Sequence, residues 1–300
     1  MDLTRPGRQA KPHESCRVSV RQLTPSGLSA PVGDCLAEEA PLQMRLVALD
    51  ARGEPQAHPL GITLRTPGED LELAVGHAWS EGLLRKSSEL RETESCARET
   101  GHSGELITLF MESSADPDVF ARRIEARRRL GASLSSCGLC GSAGMDSLLE
   151  ELPELPQTTL TADTLLAIAR HPLHEVAGFR RTGALHSACL FSADGQLLRV
   201  HEDIGRHNAL DKLIGSLLLE NGERALTDAS GGVVLVSGRI SWELVQKCLR
   251  AGLPCLLARG APSSMAVELG GRHGMLLAGF LREARLNLYC GSQRLSGVDA

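Results

Sequence analysis

Leu42, Met44, Leu46 and Ala48 alternate with less uniform neighbours, the two-residue period of a strand that buries one face. Residues 61–64 predict a second strand running into Arg65. The segment Thr66-Pro67-Gly68-Glu69 then predicts a helix start, with Thr66 as N-cap, Pro67 at the first position and Glu69 closing a capping box. Leu71, Ala74, Ala78 and Trp79 supply its buried face. A strand over 106–111 and a basic helix over 117–130 follow, and that helix delivers the chain into a loop at 135–141.

The stretch Leu152-Pro153-Glu154-Leu155-Pro156 breaks regular structure and predicts a boundary. Beyond it, strands over 185–191 and 196–200 flank the turn signal Ala193-Asp194-Gly195. From Asn208 an amphipathic helix carries Leu210, Leu213, Ile214, Leu217 and Leu218 on one face until Gly222 ends it. Strands over 233–236, 255–258 and 275–280 then alternate with helices over 241–251, closed by Gly252, and 264–269. This βαβαβ pattern predicts an α/β fold with a largely parallel sheet covered by helices. Residues 1–35 and 291–300 show no sustained hydrophobic period and read as tails, the first poorly ordered. The expected organisation is therefore an N-terminal α+β subdomain over 36–152, ending in the 135–141 loop, and an α/β domain over 153–290.

A chain of 300 residues can bury a core without staples, and with aromatics at 3% Leu, Val and Ala must fill it. The net charge of −5 leaves no overall positive field to gather nucleic acid or an anionic membrane, so neither is an expected partner. Met1 to Ser15 lacks the apolar core of a secretory signal, and no apolar run approaches the length that crosses a bilayer. A cytoplasmic location is expected. Nine cysteines is an odd count without the density of a disulfide scaffold. Cys189 and Cys255 lie inside apolar runs and read as buried small hydrophobes; Cys137 and Cys140 do not.

Cys137 and Cys140 sit in Ser135-Ser136-Cys137-Gly138-Leu139-Cys140-Gly141, where glycines flank and separate the thiols and predict an accessible loop. Arg122, Arg123, Arg127, Arg128 and Arg129 precede it, and such charges favour a thiolate, although the run reads equally as a solvated helix face. Three chemistries use this spacing. A structural zinc site needs a second ligand pair, and no other C-x-x-C occurs, so no metal is expected. A thioredoxin-like redox pair follows a strand and opens a helix, whereas this pair follows a helix. A persulfide relay needs only an accessible thiol and a partner for exchange.

Two further sets of residues suit an anion. Gly205, Arg206, His207 and Asn208 precede or open the amphipathic helix, where free backbone donors and the positive dipole end point outward. The plainer reading there is a capped helix with Asp203 paired to Arg206. Polar loops after strands, at Ser237-Gly238-Arg239, Ala261-Pro262-Ser263-Ser264 and residues 282–285, share one sheet edge if the strands are parallel, the edge at which open α/β sheets bind ligands.

Together these segments resemble the FdhD family of formate dehydrogenase accessory sulfurtransferases, over roughly residues 39–290. The resemblance is carried by Glu39-Ala40-Pro41-Leu42, Arg65 to Asp70 with Ser80-Glu81-Gly82, Ser136 to Gly141, Thr182 to His186, Glu202 to Lys212, Ser237-Gly238-Arg239 with Glu243 to Lys247, Ala261 to Ser264, and Gly279 to Arg282 with Asn287 and Tyr289. The chain departs from the family at Gly183-Ala184, where two glycines are usual, and at Glu69-Asp70, where two aspartates are. The resemblance implies a sulfur carrier that takes sulfur from a cysteine desulfurase and passes it to the bis-molybdopterin guanine dinucleotide form of the molybdenum cofactor before that cofactor enters formate dehydrogenase. It implies that Cys137 holds the persulfide with Cys140 as companion, and that Phe280, Leu281, Arg282, Glu283, Ala284 and Arg285 form a cofactor-binding segment. It also implies a cytidine deaminase-like layered α/β/α sheet, without the deaminase zinc signature. A non-catalytic cofactor chaperone and a thiol redox module are the alternatives, and a homodimer is the default assembly.

Overall fold

The computed structural model describes residues 15–50, 52–97, 105–112, 120, 123–125 and 152–297. Residues 15–35, expected as a tail, instead carry strands. β1 (Ser15–Val20) pairs antiparallel with β4 (Val32–Ala37), and β2 (Leu23–Thr24) pairs with β3 (Gly27–Leu28) between them. Most of these side chains are exposed, so the ribbon is held by backbone pairing, which leaves no hydrophobic period to read.

β5 (Ala40–Leu49) buries Leu42, Met44, Leu46 and Ala48 on one face, as the alternation predicts. It pairs antiparallel with β6 (Pro55–Arg65) and parallel with β8 (Glu105–Met111), and β7 (Leu90–Ala97) completes the order β6-β5-β8-β7. Helix α1 (Asp70–Ser80) covers this sheet with Leu73, Ala74, Ala78 and Trp79. It starts later than its sequence predicts. Glu69 stands at the N-cap with φ +56°, and Thr66 is engaged elsewhere: its backbone N–H donates to Asp203 (3.1 Å) and its hydroxyl accepts from Ile204 N–H (3.1 Å). Tertiary partners have outbid the local cap.

After irregular chain from 152 to 159 come β9 (Leu160–Thr161), α2 (Ala162–Ala169) and α3 (Ala177–Thr182). β10 (His186–Phe191) and β11 (Leu197–Asp203) form the expected hairpin. The long α4 (Arg206–Ala229) follows, then β12 (Val233–Val236), α5 (Trp242–Arg250), β13 (Cys255–Ala258), α6 (Ser264–Arg272), β14 (Leu276–Arg282) and β15 (Arg285–Cys290). Gly222 does interrupt α4, at φ +57° beside Asn221, but the chain resumes helical geometry beyond it. The C-terminal residues are not a tail either: β16 (Leu295–Ser296) pairs with β9, and buried Arg294 donates to the carbonyls of Gly274 (2.6 Å) and Pro156 (2.7 Å).

The main sheet has the order β11-β10-β12-β13-β14-β15 and is mixed. Only β12–β13 and β13–β14 are parallel, because hairpins append antiparallel strands at both flanks. Both faces are buried. Ala188, Leu190, Val234, Val236, Leu256 and Leu277 face Leu213 of α4, Val245 and Cys248 of α5 and Leu269 of α6. Cys189, Phe191, Leu235, Leu257 and Ala278 face Leu165, Ile168 and Ala169 of α2. The fold is thus mixed α/β. Buried residues of the N-terminal sheet join the α4 face in one cluster, and α1 lies directly on α4. Their crossing turns on two glycines: a Cβ on Gly76 would stand 1.9 Å from the Asp211 carbonyl oxygen, and one on Gly215 1.8 Å from that of Glu72.

Candidate functional site

β11 ends at Asp203 and α4 opens at Arg206, and the residues between are held by a buried carboxylate. Asp203 accepts from Gly205 N–H (2.8 Å), Asn208 Nδ2 (3.0 Å), Thr66 N–H (3.1 Å) and Lys212 Nζ (2.8 Å). The expected pairing of Asp203 with Arg206 is therefore replaced: Lys212, one turn and a half into α4, takes the charge. Glu202 serves another helix, accepting from the N–H groups of Gly178 and Phe179 (both 2.8 Å) at the start of α3.

Arg206 is left uncommitted. Its Nε is buried without a hydrogen-bond partner among the described residues, and its side chain lies against Gly238, where a Cβ would stand 3.3 Å from Arg206 Cδ and 3.4 Å from His186 Nδ1. His186 Nδ1 is 3.2 Å from Ser237 Oγ, which also accepts from Ser187 N–H (3.0 Å). Burial, and next the Arg206 charge, push the His186 imidazole below its usual range. His207 Nε2 lies 3.0 Å from Ser241 Oγ and 3.2 Å from Glu243. Burial lowers its affinity for a proton, and Glu243 offsets this only in part. Near neutral pH both rings are uncharged, so Arg206 is the fixed positive charge at the start of α4.

From Gly238 a backbone ladder runs along the sheet edge. Gly260 N–H donates to Gly238 O, and Phe280 N–H donates to Gly260 O (both 3.0 Å). The loops pass so closely that a Cβ on Gly260 would lie 2.8 Å from Gly238 O, and one on Gly279 2.8 Å from Gly260 O. The ladder ends at Phe280, whose φ of +52° is rare for a residue with a Cβ and which is 39% exposed. Tyr289 and Pro262 stand close to Gly279 beside it.

The structure thus brings Gly205 to Asn208 and Phe280 to Arg285 to one edge, joined through Gly238 and Gly260. Within the second segment the residues divide. Leu281 is fully buried in the core, Glu283 offers its carbonyl to Arg170 Nε (3.0 Å), and Phe280, Arg282 and Arg285 face outward. The segment is a hairpin turn, because Arg285 begins an edge strand. Sequence reading passed over His186, Ser241 and Glu243 as site residues; the signal available for them was only their position at strand ends and helix starts.

Cys137 and Cys140 lie outside the described residues. Of the arginines preceding them, Arg123 is described and is committed to Glu89 (3.1 Å). Among the described residues no group of three or more His, Cys, Asp or Glu side chains is placed to hold a metal ion, and no helix is long and apolar enough to cross a membrane.

The family model described as the FdhD/NarQ family matches residues 38–296. Proteins named sulfur carrier protein FdhD are similar over most of the chain. That of Streptomyces avermitilis is 39% identical over 267 residues, 88% of this chain and 89% of its own. That of Nocardia farcinica is 38% identical over 290 residues, 95% and 96% respectively. The fold is similar to the crystal structure of a candidate formate dehydrogenase accessory protein from Desulfotalea psychrophila, with a TM-score of 0.67 at 24% identity, over 94% of this chain and 99% of that one.

Proposed function

The chain belongs to the FdhD/NarQ family, and on that premise we propose that it is a sulfurtransferase of formate dehydrogenase maturation, working through a persulfide on Cys137. The Cys137 thiolate attacks the outer sulfur of a cysteine desulfurase persulfide. One S–S bond forms at Cys137 as the other breaks, and the desulfurase cysteine departs as a thiolate, so no external oxidant is needed. Cys140 then attacks the inner sulfur of the Cys137 persulfide, closing a Cys137–Cys140 disulfide and releasing the outer sulfur at the sulfide level to the acceptor, the bis-molybdopterin guanine dinucleotide cofactor destined for formate dehydrogenase. A cellular thiol reductant reopens the disulfide for the next cycle. The reaction takes place in the cytoplasm, where free thiols are kept reduced. The protein acts as a homodimer.

The single observation that supports this reading most is the sheet edge running from Arg206 to Phe280 in a chain whose relatives are named sulfur carriers. A fixed cation, neutral imidazoles and backbone stripped of side chains by glycine suit the nucleotide end of such a cofactor. The helices on both faces of the main sheet likewise support a cytidine deaminase-like layering.

Mass spectrometry after incubation with a cysteine desulfurase and cysteine is expected to show one added sulfur on the wild-type chain and none on Cys137→Ala. An undiminished adduct in that variant rejects the assignment. Restoration of formate dehydrogenase activity in a deletion strain by the Cys137→Ala/Cys140→Ala double variant favours the chaperone reading instead.

A further inference from the structure

Gly274 stands just before β14, at the opposite end of that strand from Phe280 and roughly 20 Å of extended chain away from it. A pocket of about 390 Å³ opens there, a size that holds small ligands. Its walls are the chain over 152–157, the end of α6 with His273 and Gly274, and Gln293 and Arg294 just before β16. It is therefore separate from the ladder between Gly238 and Phe280.

Arg294 is only 6% exposed, and what holds it is backbone. Nε donates to the Gly274 carbonyl (2.6 Å) and Nη1 to that of Pro156 (2.7 Å), so the guanidinium ties two walls of the pocket together, while Nη2 donates to nothing among the described residues. No carboxylate among them ion-pairs with it either. Inside the protein its charge reaches Cys255, a thiol that burial pushes up to about 12 and so keeps uncharged. A guanidinium buried without a counterion is costly, and two carbonyls offset only part of that cost.

The other charged groups on the walls do not compensate it. Arg272 is exposed and paired with Glu268, and burial, with the Arg272 charge second, keeps the His273 imidazole below its usual range. Glu154 is exposed and ion-pairs with nothing among the described residues. One buried cation balances one negative charge, and Glu154 on the same wall repels a second. A monoanion fits where a phosphate dianion does not. A guanidinium has more donors than two carbonyls use, and a carboxylate takes two of them in parallel. Beside Arg294 the side-chain amides of Gln157 and Gln293 have no partner among the described residues, and Leu152 and Leu155 add an apolar wall. A carboxylate with an amide next to it is the chemistry at the end of a peptide.

We propose that this pocket binds a small amide-bearing organic monocarboxylate, of the kind a peptide presents at its C-terminal end, with Arg294 pairing the carboxylate and Gln157 and Gln293 meeting the amide. The site lies beyond the sulfur relay and does not rest on it.

Titration calorimetry on the full chain, with N-acetylglycylalanine, its C-terminal amide and inorganic phosphate as probes, tests it. The acid is expected to bind, and the amide and phosphate to bind weaker by about tenfold or more. Replacing Arg294 would also cut its ties to Gly274 and Pro156, so the charge is varied at exposed Gln293 instead. Gln293→Glu should weaken the acid by about tenfold, and Gln293→Lys should tighten it. Arg224→Gln, at an exposed position on α4, leaves the acid unchanged. No binding of the acid by the wild-type chain overturns the proposal, as does equal affinity for acid and amide, or equal affinity of the two Gln293 variants for the acid. Phosphate binding tighter than the acid overturns the carboxylate assignment.

Discussion

Lys212 Nζ lies 2.8 Å from Asp203 Oδ2 with both side chains wholly removed from solvent. Neither charge is left with idle valence: Lys212 also donates to the carbonyls of Thr66 (3.1 Å) and Glu202 (3.3 Å), and Asp203 accepts from the Thr66 and Gly205 N–H groups. The pair thereby clamps the turn before α1 to the start of α4 and sets where Arg206 stands. Removing one partner strands the other charge in the interior, so Lys212→Met should cost about 3–5 kcal/mol by urea denaturation. Asp203→Asn/Lys212→Met should cost at least about 1 kcal/mol less than the sum of the two single variants. Strict additivity would show that the two side chains do not act as a unit.

Asp211 carries the acid sensitivity of the α1–α4–α5 junction. Burial raises its proton affinity, but Lys247 at 2.7 Å and His77 at 3.6 Å outweigh burial, and its pKa is pushed down from 3.8 to about 2. A depressed folded-state value means that the unfolded chain binds the proton first. The contribution is complete above pH 3.8 and is lost as pH falls toward 2, by roughly 2 kcal/mol in all. Asp211→Asn should be less stable at pH 7, with Lys247 unpaired, and should fall less steeply across that acid window. Urea midpoints measured from pH 5 to pH 2 decide it, and parallel curves for the two proteins would rule the assignment out.

The glycine crossing leaves no room for a methyl group. Gly215→Ala places its Cβ inside the contact radius of the Glu72 carbonyl, and relief requires the two helices to separate. The expected loss is about 3 kcal/mol or more, read as a fall in thermal midpoint. Gly231→Ala, with open space around its Cβ position, should fall far less.

The interior thiols should be silent. Burial pushes Cys189 and Cys255 up to about 12 and Cys248 higher still. At pH 8 their alkylation by iodoacetamide should be roughly a thousandfold slower than that of an ordinary exposed thiol, since only the thiolate reacts. Cys16 is exposed and should label readily. Peptide mapping after native labelling measures this, and equal labelling of Cys189 and Cys16 would contradict the burial.

The predicted strand over Leu42 to Ala48 and the βαβαβ run from Val233 to Phe280 are present because their signals are local: side-chain period, helix-closing glycines and apolar runs follow from backbone geometry at each residue. The polar turn at 282–285 was legible as a strand-end feature, while the wider Phe280 to Arg285 segment came only with the family resemblance. His186 was not legible as a site residue, since a single histidine at the start of a strand carries no periodicity and gains meaning only from the side chains that surround it.

Thr66 shows the limit most clearly. Its sequence context describes a helix cap, yet the buried Asp203, 137 residues away, takes the Thr66 N–H that a capping Glu69 would accept, and the Thr66 hydroxyl accepts from Ile204 N–H instead of from the first turn of α1. The sequence alone determined the residue types, the local periods and hence the α/β class with its family. Tertiary structure decided the antiparallel flanks of the main sheet, the Gly76–Gly215 crossing and the partners of each buried charge. Those depend on which distant segments meet, and chain proximity carries no information about that.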